Sequence, residues 1–379
     1  MRALWTAIAA GWAIWSATAS AQALPPFVQA YNPQGVDERG LWMEADEEER
    51  VLRDSRFVIT DLKLNAYVRN IFCRTVGDER CKNVRIYILR IPHLNATMYP
   101  NGMMTIWSGL LLRVRSEAEL GAVLGHEFAH FELRHSLKGF QAQRSTGDWL
   151  TWTALLGVNM QSAMIGSFYS FTRDQEKQAD LLGLEYLAKS VYPSSVAANI
   201  WDRTMAEQDA AEAGRKRKAR HSYSAGIFAS HPTDLTRSKY LREAAAKQAD
   251  AGDPGEAAYR EGMASWLPEF LHDQIKLNDF GGSEYLLQQL AGDNWTSELL
   301  YTRAQLYRLR GNPRDLVSAA QFYQQAIDKG FSRADARRDL GLTLLRAQQI
   351  ESGRMALQRY LDENPEAPDK AMIAALLAD

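Results

Sequence analysis

Residues 116–139, SEAELGAVLGHEFAHFELRHSLKG, decide how the chain is read. Ser116 and Glu119 have the spacing of a capping box and Gly139 offers a stop, which predicts a helix from about Ser116 to Lys138. Inside it lies His126-Glu127-Phe128-Ala129-His130. Helical positions four apart differ by about 40° and about 6 Å, so both imidazoles leave one face. There they can bind a tetrahedral zinc, with Zn–N distances of about 2.0–2.1 Å. Glu127 sits on the flank from which a water at such a metal is reached. Val123, Leu124, Phe131 and Leu133 surround the pattern and would bury the other faces of the helix. Five residues are few enough to coincide, so the chain elsewhere must supply a third ligand.

A catalytic zinc keeps three protein ligands and one open position. Glu176, 46 positions after His130, is the best candidate, giving one zinc per chain. It opens a helix predicted from about Arg173 to Ser190 and ended by Tyr192-Pro193. Asp180, one turn further on the same face, can accept the second N–H of a ligating histidine and fix its tautomer. His135 would project about 140° away from His130 on a continuous helix, and reads as a structural or groove residue. His93, His221 and His272 have no partner pattern.

His-Glu-Phe-Ala-His followed by Thr172-Arg173-Asp174-Gln175-Glu176-Lys177-Gln178-Ala179-Asp180 resembles the HtpX-like and BepA-like zinc metallopeptidases, whose Glu-x-x-Ala-Asp segment supplies the third ligand. Ser230-His231-Pro232, with Arg237 five residues after the proline, is similar to that family's downstream motif. Asn95-Ala96 and Pro100-Asn101-Gly102 are similar to its edge-strand region. The resemblance spans about residues 40–245, with Thr172 where the family often has Ser. It implies zinc held by His126, His130 and Glu176, with Glu127 as general base. His231 is a candidate oxyanion donor, with two rivals: a fourth ligand blocking a latent site, or a structural anchor of a Pro turn. Asn95 and Ala96 would offer an extended substrate an exposed sheet edge, unless their strand lies inside the sheet.

The rest of the chain indicates an α+β fold. Residues 22–265 read as a mainly helical, zincin-type metallopeptidase domain with a small sheet. Residues 266–379 read as an all-α, tetratricopeptide-like helical repeat domain. Residues 41–76 carry apolar residues at near-helical spacing, and Val84–Leu89 alternates as a strand. Ala96–Tyr99 and Met103–Trp107 flank Pro100-Asn101-Gly102, a turn whose Asn and Gly accept positive φ. Residues 242–262 read as an interdomain connection. Further on, Ala304, Tyr307 and Gly311, then Ala320, Tyr323 and Ala326, and later Leu340, Gly341, Leu344, Leu357, Tyr360 and Pro365, repeat one order of small and large side chains. That suits a helix–turn–helix repeat with a period near 34 residues, one copy carrying an insertion; a plain helical bundle is the alternative.

Arg2, the apolar run Ala3–Ala17 and Ala19-Ser20-Ala21 read as a cleavable signal peptide, residues 1–21, which places the mature protein in the periplasm. In an exported chain the only two cysteines, Cys73 and Cys81, are expected to form a disulfide. The net charge of −2 provides no surplus of cations for nucleic acid, and Arg215–Lys218 reads as a solvated face. Residues 149–171 are strongly apolar, but Asn159, Gln161, Gly157 and Gly166 favour a buried or groove-lining helix over a membrane span, leaving peripheral membrane association open. Three function classes compete, one of them a zinc hydrolase for a non-peptide substrate. Another is an endopeptidase for unfolded or misassembled exported polypeptides, its repeats recruiting substrates or outer-membrane protein assembly machinery. The third is a periplasmic chaperone or scaffold with a latent zinc site. Intact Glu127 favours the enzyme, because a scaffold needs no base beside its metal.

Overall fold

The structure is a computed structural model describing residues 33–145, 171–218, 235–248 and 250–378. The signal segment, all of 149–171 except Phe171, and Ser230-His231-Pro232 lie outside the described residues. Helix α1 (Gly35–Arg53) and helix α2 (Leu62–Val76) replace the single helix expected over 41–76. Asp61 makes the break, because its carboxylate accepts the Leu64 N–H at 2.9 Å and caps α2. Gly77, at φ +89°, turns the chain into the short α3 (Asp78–Cys81), and the sulfurs of Cys73 and Cys81 are bonded across that turn.

Strands β1 (Arg85–Leu89), β2 (Ala96–Met98) and β3 (Met103–Trp107) form a sheet of order β1-β3-β2. β1 is parallel to β3, and β2 antiparallel. At the β2–β3 turn Gly102 has φ +88°, and a Cβ there would lie 2.9 Å from the Asn83 carbonyl oxygen. Asn95 O accepts the Trp107 N–H at 3.0 Å, and Tyr99 N–H donates to Met103 O at 2.8 Å. Hydrogen-bonded pairs alternate along an antiparallel ladder, so the main-chain groups of Ala96 and Met98 point away from β3, toward the free edge.

After α4 (Ser108–Arg113), α5 (Glu117–Glu132) runs through the middle of the molecule, with every residue but Ala122 buried. Ser116 Oγ accepts the Glu119 N–H at 3.1 Å, while the Glu119 carboxylate accepts the Arg115 N–H at 2.7 Å, one residue earlier than a capping box requires. α5 stops sooner than expected. The Arg134 N–H donates to Phe131 O, three residues back, at 3.0 Å, Arg134 itself adopts φ +53°, and a new helix, α6 (His135–Ser145), begins. Gly139 lies within α6 and is not the stop.

Helix α7 (Arg173–Ala188) opens with a full capping box between Thr172 and Gln175 and crosses α5. Glu176, Asp180 and Gly183 are spaced i, i+4, i+7, one stripe of α7. A Cβ at Gly183 would stand 2.9 Å from the His126 nitrogen, so the helices touch backbone to backbone there. Helices α8 (Asn199–Gly214) and α9 (Leu235–Ala245) complete the surroundings of α5.

Helices α10 (Glu256–Met263), α11 (Leu267–Ile275) and α12 (Phe280–Ala291) pack on the same body. Tyr259, Phe270, Leu271, Ile275, Leu286 and Leu287 share one core with Phe72, Leu124 and Phe128. The stretch 242–262 is therefore no open connection: it holds the end of α9 and all of α10. Met263 and Phe270, on either side of residues 265 and 266, both belong to this core, and Trp266 packs against it. Polar links tighten the join. Arg113 donates to Glu207 at 2.8 and 2.6 Å and to Gln274 at 3.0 Å, while Arg90 reaches Glu269 at 2.7 Å and Asp273 at 2.5 Å. Two helical hairpins follow, α13 (Ser297–Arg310) with α14 (Pro313–Asp328) and α15 (Asp335–Arg346) with α16 (Ile350–Glu363), then α17 (Lys370–Ala378). Gly341 faces Leu357 and Gly353 faces Leu345 where α15 meets α16. The fold is α+β, mostly helical with one small sheet among the described residues. None of the described helices is long and apolar enough to cross a membrane.

Candidate metal centre

α5 supplies His126 and His130, and the stripe on α7 brings Glu176 against them. His126 Nε2 and His130 Nε2 lie 3.2 Å apart, and the Glu176 carboxylate oxygens are 3.6 Å from the first and 3.5 Å from the second. A tetrahedral zinc with bonds of about 2.0–2.1 Å sets its ligand atoms about 3.3–3.4 Å apart. The His126 nitrogen faces Oε2 and the His130 nitrogen faces Oε1, each at a separation close to that value, and one ligand atom from each of the three residues can be chosen with all of them within 4.8 Å of one another. Both histidines and Glu176 are at most 3% exposed, and Glu127, beside His126 on α5, is 1% exposed.

Around this triangle the chain holds each ligand in place. Nδ1 of His126 lies 2.9 Å from Asp180 Oδ1. Asp180 also accepts from Arg237 Nε at 2.9 Å and Nη2 at 2.7 Å, and from the Tyr240 hydroxyl. The third nitrogen of Arg237 sits 2.8 Å from Glu176 Oε2, so one guanidinium bridges the ligand and its neighbour. Burial alone would raise the Asp180 carboxyl, but the Arg237 charge and the His126 ring outweigh it and hold Asp180 well below the usual carboxylate range. The Trp201 ring lies edge-on to His126, with the Arg237 guanidinium 4.7 Å above it. Phe171 stacks on His130 at 3.9 Å.

The charges fit the same group. Glu127, Glu176 and Asp180 gather three acidic side chains in one buried site, where Arg237 pairs with Glu176 and Asp180. Buried negative charge is costly, and a divalent cation held by the ligands would offset it.

His135 departs from its expected place. Because α5 breaks at Arg134, the 140° offset of a continuous helix does not apply. His135 is fully buried, its Nδ1 2.9 Å from His130 Nδ1 and its Nε2 3.3 Å from Gln178 Oε1. Burial pushes its ring down to about 4, so it is neutral near pH 7. Asn95 and Ala96 lie at the start of β2, which packs against α5. The Asn95 side-chain oxygen is buried and meets no hydrogen-bond donor among the described residues. The sequence had marked Arg237 only as part of a motif, and nothing in it pointed to Trp201. His231 lies outside the described residues.

The sequence pattern of peptidase family M48 matches residues 60–245. Those residues are a peptidase family M48 domain. It contains every member of the site just described, from Asn95 through Tyr240. Vibrio cholerae has a relative named putative beta-barrel assembly-enhancing protease, 32% identical over 171 residues, which covers 41% of this chain and 35% of the relative. The mitochondrial metalloendopeptidase OMA1 of Schizosaccharomyces pombe is 25% identical over 185 residues, 47% of this chain and 52% of its own. The beta-barrel assembly-enhancing protease of Escherichia coli is 26% identical over 159 residues, 37% of this chain and 32% of its own. The matched stretch thus spans about a third to a half of these relatives. The M48 domain resembles the HtpX and BepA type anticipated from the motifs.

Proposed function

We propose that this chain is a zinc-dependent endopeptidase of the cell envelope that hydrolyses unfolded or misassembled exported proteins. The observation that carries this reading is the buried triangle of His126, His130 and Glu176 with Glu127 beside it on α5. When bound, zinc supplies Lewis acidity toward the scissile carbonyl and makes a neighbouring water a better nucleophile at neutral pH. Glu127 takes the proton of the attacking water and passes it to the leaving amine. Asp180 holds His126 in the tautomer that leaves Nε2 free to ligate, and Arg237 pairs with both Asp180 and Glu176. His231 is the candidate donor to the developing oxyanion. Along β2 the outward N–H and C=O groups of Ala96 and Met98 would pair with an extended substrate, and Asn95 Oδ1 is an acceptor awaiting a donor. Recognition through main chain suits unfolded polypeptide, since it asks for no particular side chain.

The names of the bacterial relatives favour a role near outer-membrane protein assembly, with the signal segment directing the chain to the periplasm. The hairpins α13–α16 are the tetratricopeptide-like part that would recruit substrates or assembly machinery. In the test, full-length protein with Glu127→Gln is loaded with zinc and given unfolded casein. Cleavage should fall by about 10²–10⁴-fold with the zinc content unchanged. Cleavage at the wild-type rate would remove Glu127 from the mechanism.

A further inference from the structure

We propose that His135 and Gln178 are positioning residues for the metal, forming an uncharged relay that holds His130 in its ligating tautomer. The inference rests on the metallopeptidase reading above. Two imidazole nitrogens 2.9 Å apart must be one donor and one acceptor, and the surroundings decide which. His130 Nε2 faces His126 Nε2 at 3.2 Å and Glu176 at 3.5 Å, so its lone pair belongs to the ligand triangle. The His130 proton therefore sits on Nδ1 and is donated to His135 Nδ1. That leaves the His135 proton on Nε2, facing Gln178 Oε1 at 3.3 Å, an oxygen that can only accept.

The break at Arg134 makes this relay. On an unbroken helix His135 would face away from His130. The positive φ of Arg134, in a region that L-residues seldom occupy, restarts the chain so that the ring returns beneath His130. Gln175, which also closes the capping box of α7, donates to the His135 carbonyl at 3.5 Å, and Phe171 fixes the His130 ring plane from the other face. The two histidine ligands are thus backed differently. His126 has a carboxylate, and Arg237 compensates its charge. His130 is backed by an imidazole and, behind it, a carboxamide, so this side of the site brings in no further carboxylate.

The experiment uses the full chain and reads zinc affinity by competition with a chromophoric chelator, together with the visible spectrum of the cobalt-substituted protein. His135→Phe keeps a ring but removes the acceptor, and should weaken zinc binding by about 10–100-fold and shift the cobalt bands. His135→Gln restores a neutral acceptor and should recover most of that loss. Gln178→Leu, at an exposed position where folding is not at risk, should weaken binding in the same direction by a smaller factor. Wild-type affinity and spectrum in both His135→Phe and Gln178→Leu would overturn the relay. So would His135→Gln binding no better than His135→Phe. If His135→Phe does not fold, Gln178→Leu decides alone. Failure of the wild-type chain itself to bind zinc would instead overturn the metallopeptidase reading, which keeps the two failures apart.

Discussion

Gly183→Ala adds one methyl group where α7 crosses α5, and its cost can be worked from the contact. The new Cβ would stand 2.9 Å from the His126 nitrogen, 3.0 Å from its Cα and 3.2 Å from the Gly125 carbonyl carbon. All three are backbone atoms of a buried helix, so no side chain can swing aside. Ordinary contact begins near 3.4 Å, and α7 must retreat by about 0.5 Å at the crossing. Overpacking of this kind costs about 1–3 kcal/mol. The consequence for function is larger than the loss of stability. Glu176 lies seven residues before Gly183 on the same face, so it moves with α7, while His126 and His130 stay with α5. Metal–ligand distances tolerate about 0.2 Å, less than half that displacement. Zinc affinity should therefore fall by about tenfold or more, a loss comparable to that from disturbing a ligand's supporting contacts. Chelator competition gives the affinity, and thermal unfolding of the metal-free protein gives the packing cost separately. Wild-type zinc affinity in a variant destabilised by the expected amount would refute the claim that this crossing sets Glu176.

Asp180→Asn keeps the shape but removes the charge that orients His126 and pairs with Arg237. Zinc affinity should drop by about 10–100-fold, and an unchanged affinity would show that His126 needs no carboxylate behind it. Truncation after residue 265 strips Phe270, Leu271, Ile275, Leu286 and Leu287 from the peptidase core and should give insoluble or unfolded protein, whereas truncation after Gly330, which keeps Leu299 and Leu306 of the same core, should leave a soluble, zinc-binding body. Comparable yields and melting temperatures for the two truncations would contradict this. Asp315 is held below the usual carboxylate range, first by its hydrogen bonds from Arg310 and then by Asn312. A carboxylate with a lowered folded-state pKa contributes stability above its unfolded value of about 3.9 and loses it as pH falls through the folded value. The melting temperature should thus decline below about pH 4, and Asp315→Asn should flatten part of that decline; an identical slope would refute the assignment.

What the sequence makes legible is whatever depends on spacing within one element. The two histidines four apart, the Glu176–Asp180 pair, the Ser116 and Thr172 caps and the turn at Gly102 are local patterns, and the structure has all of them. Where elements end was harder to read. Gly139 looked like the stop of the metal-bearing helix, yet the chain breaks five residues earlier at Arg134, a residue with no intrinsic preference for positive φ. That single misplacement hid the contact between His135 and His130, because angular arguments hold only while a helix continues. The apolar residues of α10–α12 were visible, but nothing in their periodicity says whether they face a repeat or the peptidase body. Arg237 and Trp201 meet the site from helices far along the chain, a convergence no local pattern contains.

The electrostatics of the site also bear on the choice between an enzyme and a scaffold whose metal site has become idle. Glu127, Glu176 and Asp180 are almost completely buried, and Arg237 pairs with the last two. Bringing three carboxylates into one buried site is costly, and a bound dication would lower that cost. Asp180 and Glu176 are needed to hold a metal in either case. Glu127 is not: it stands outside the trio of ligands, beside His126 on α5. A chain selected only to bind metal as a structural staple would gain from an uncharged residue at 127, since one negative charge fewer would lower the burial cost. Keeping a buried carboxylate there makes physical sense if it has a proton to carry, which is the work of a hydrolase.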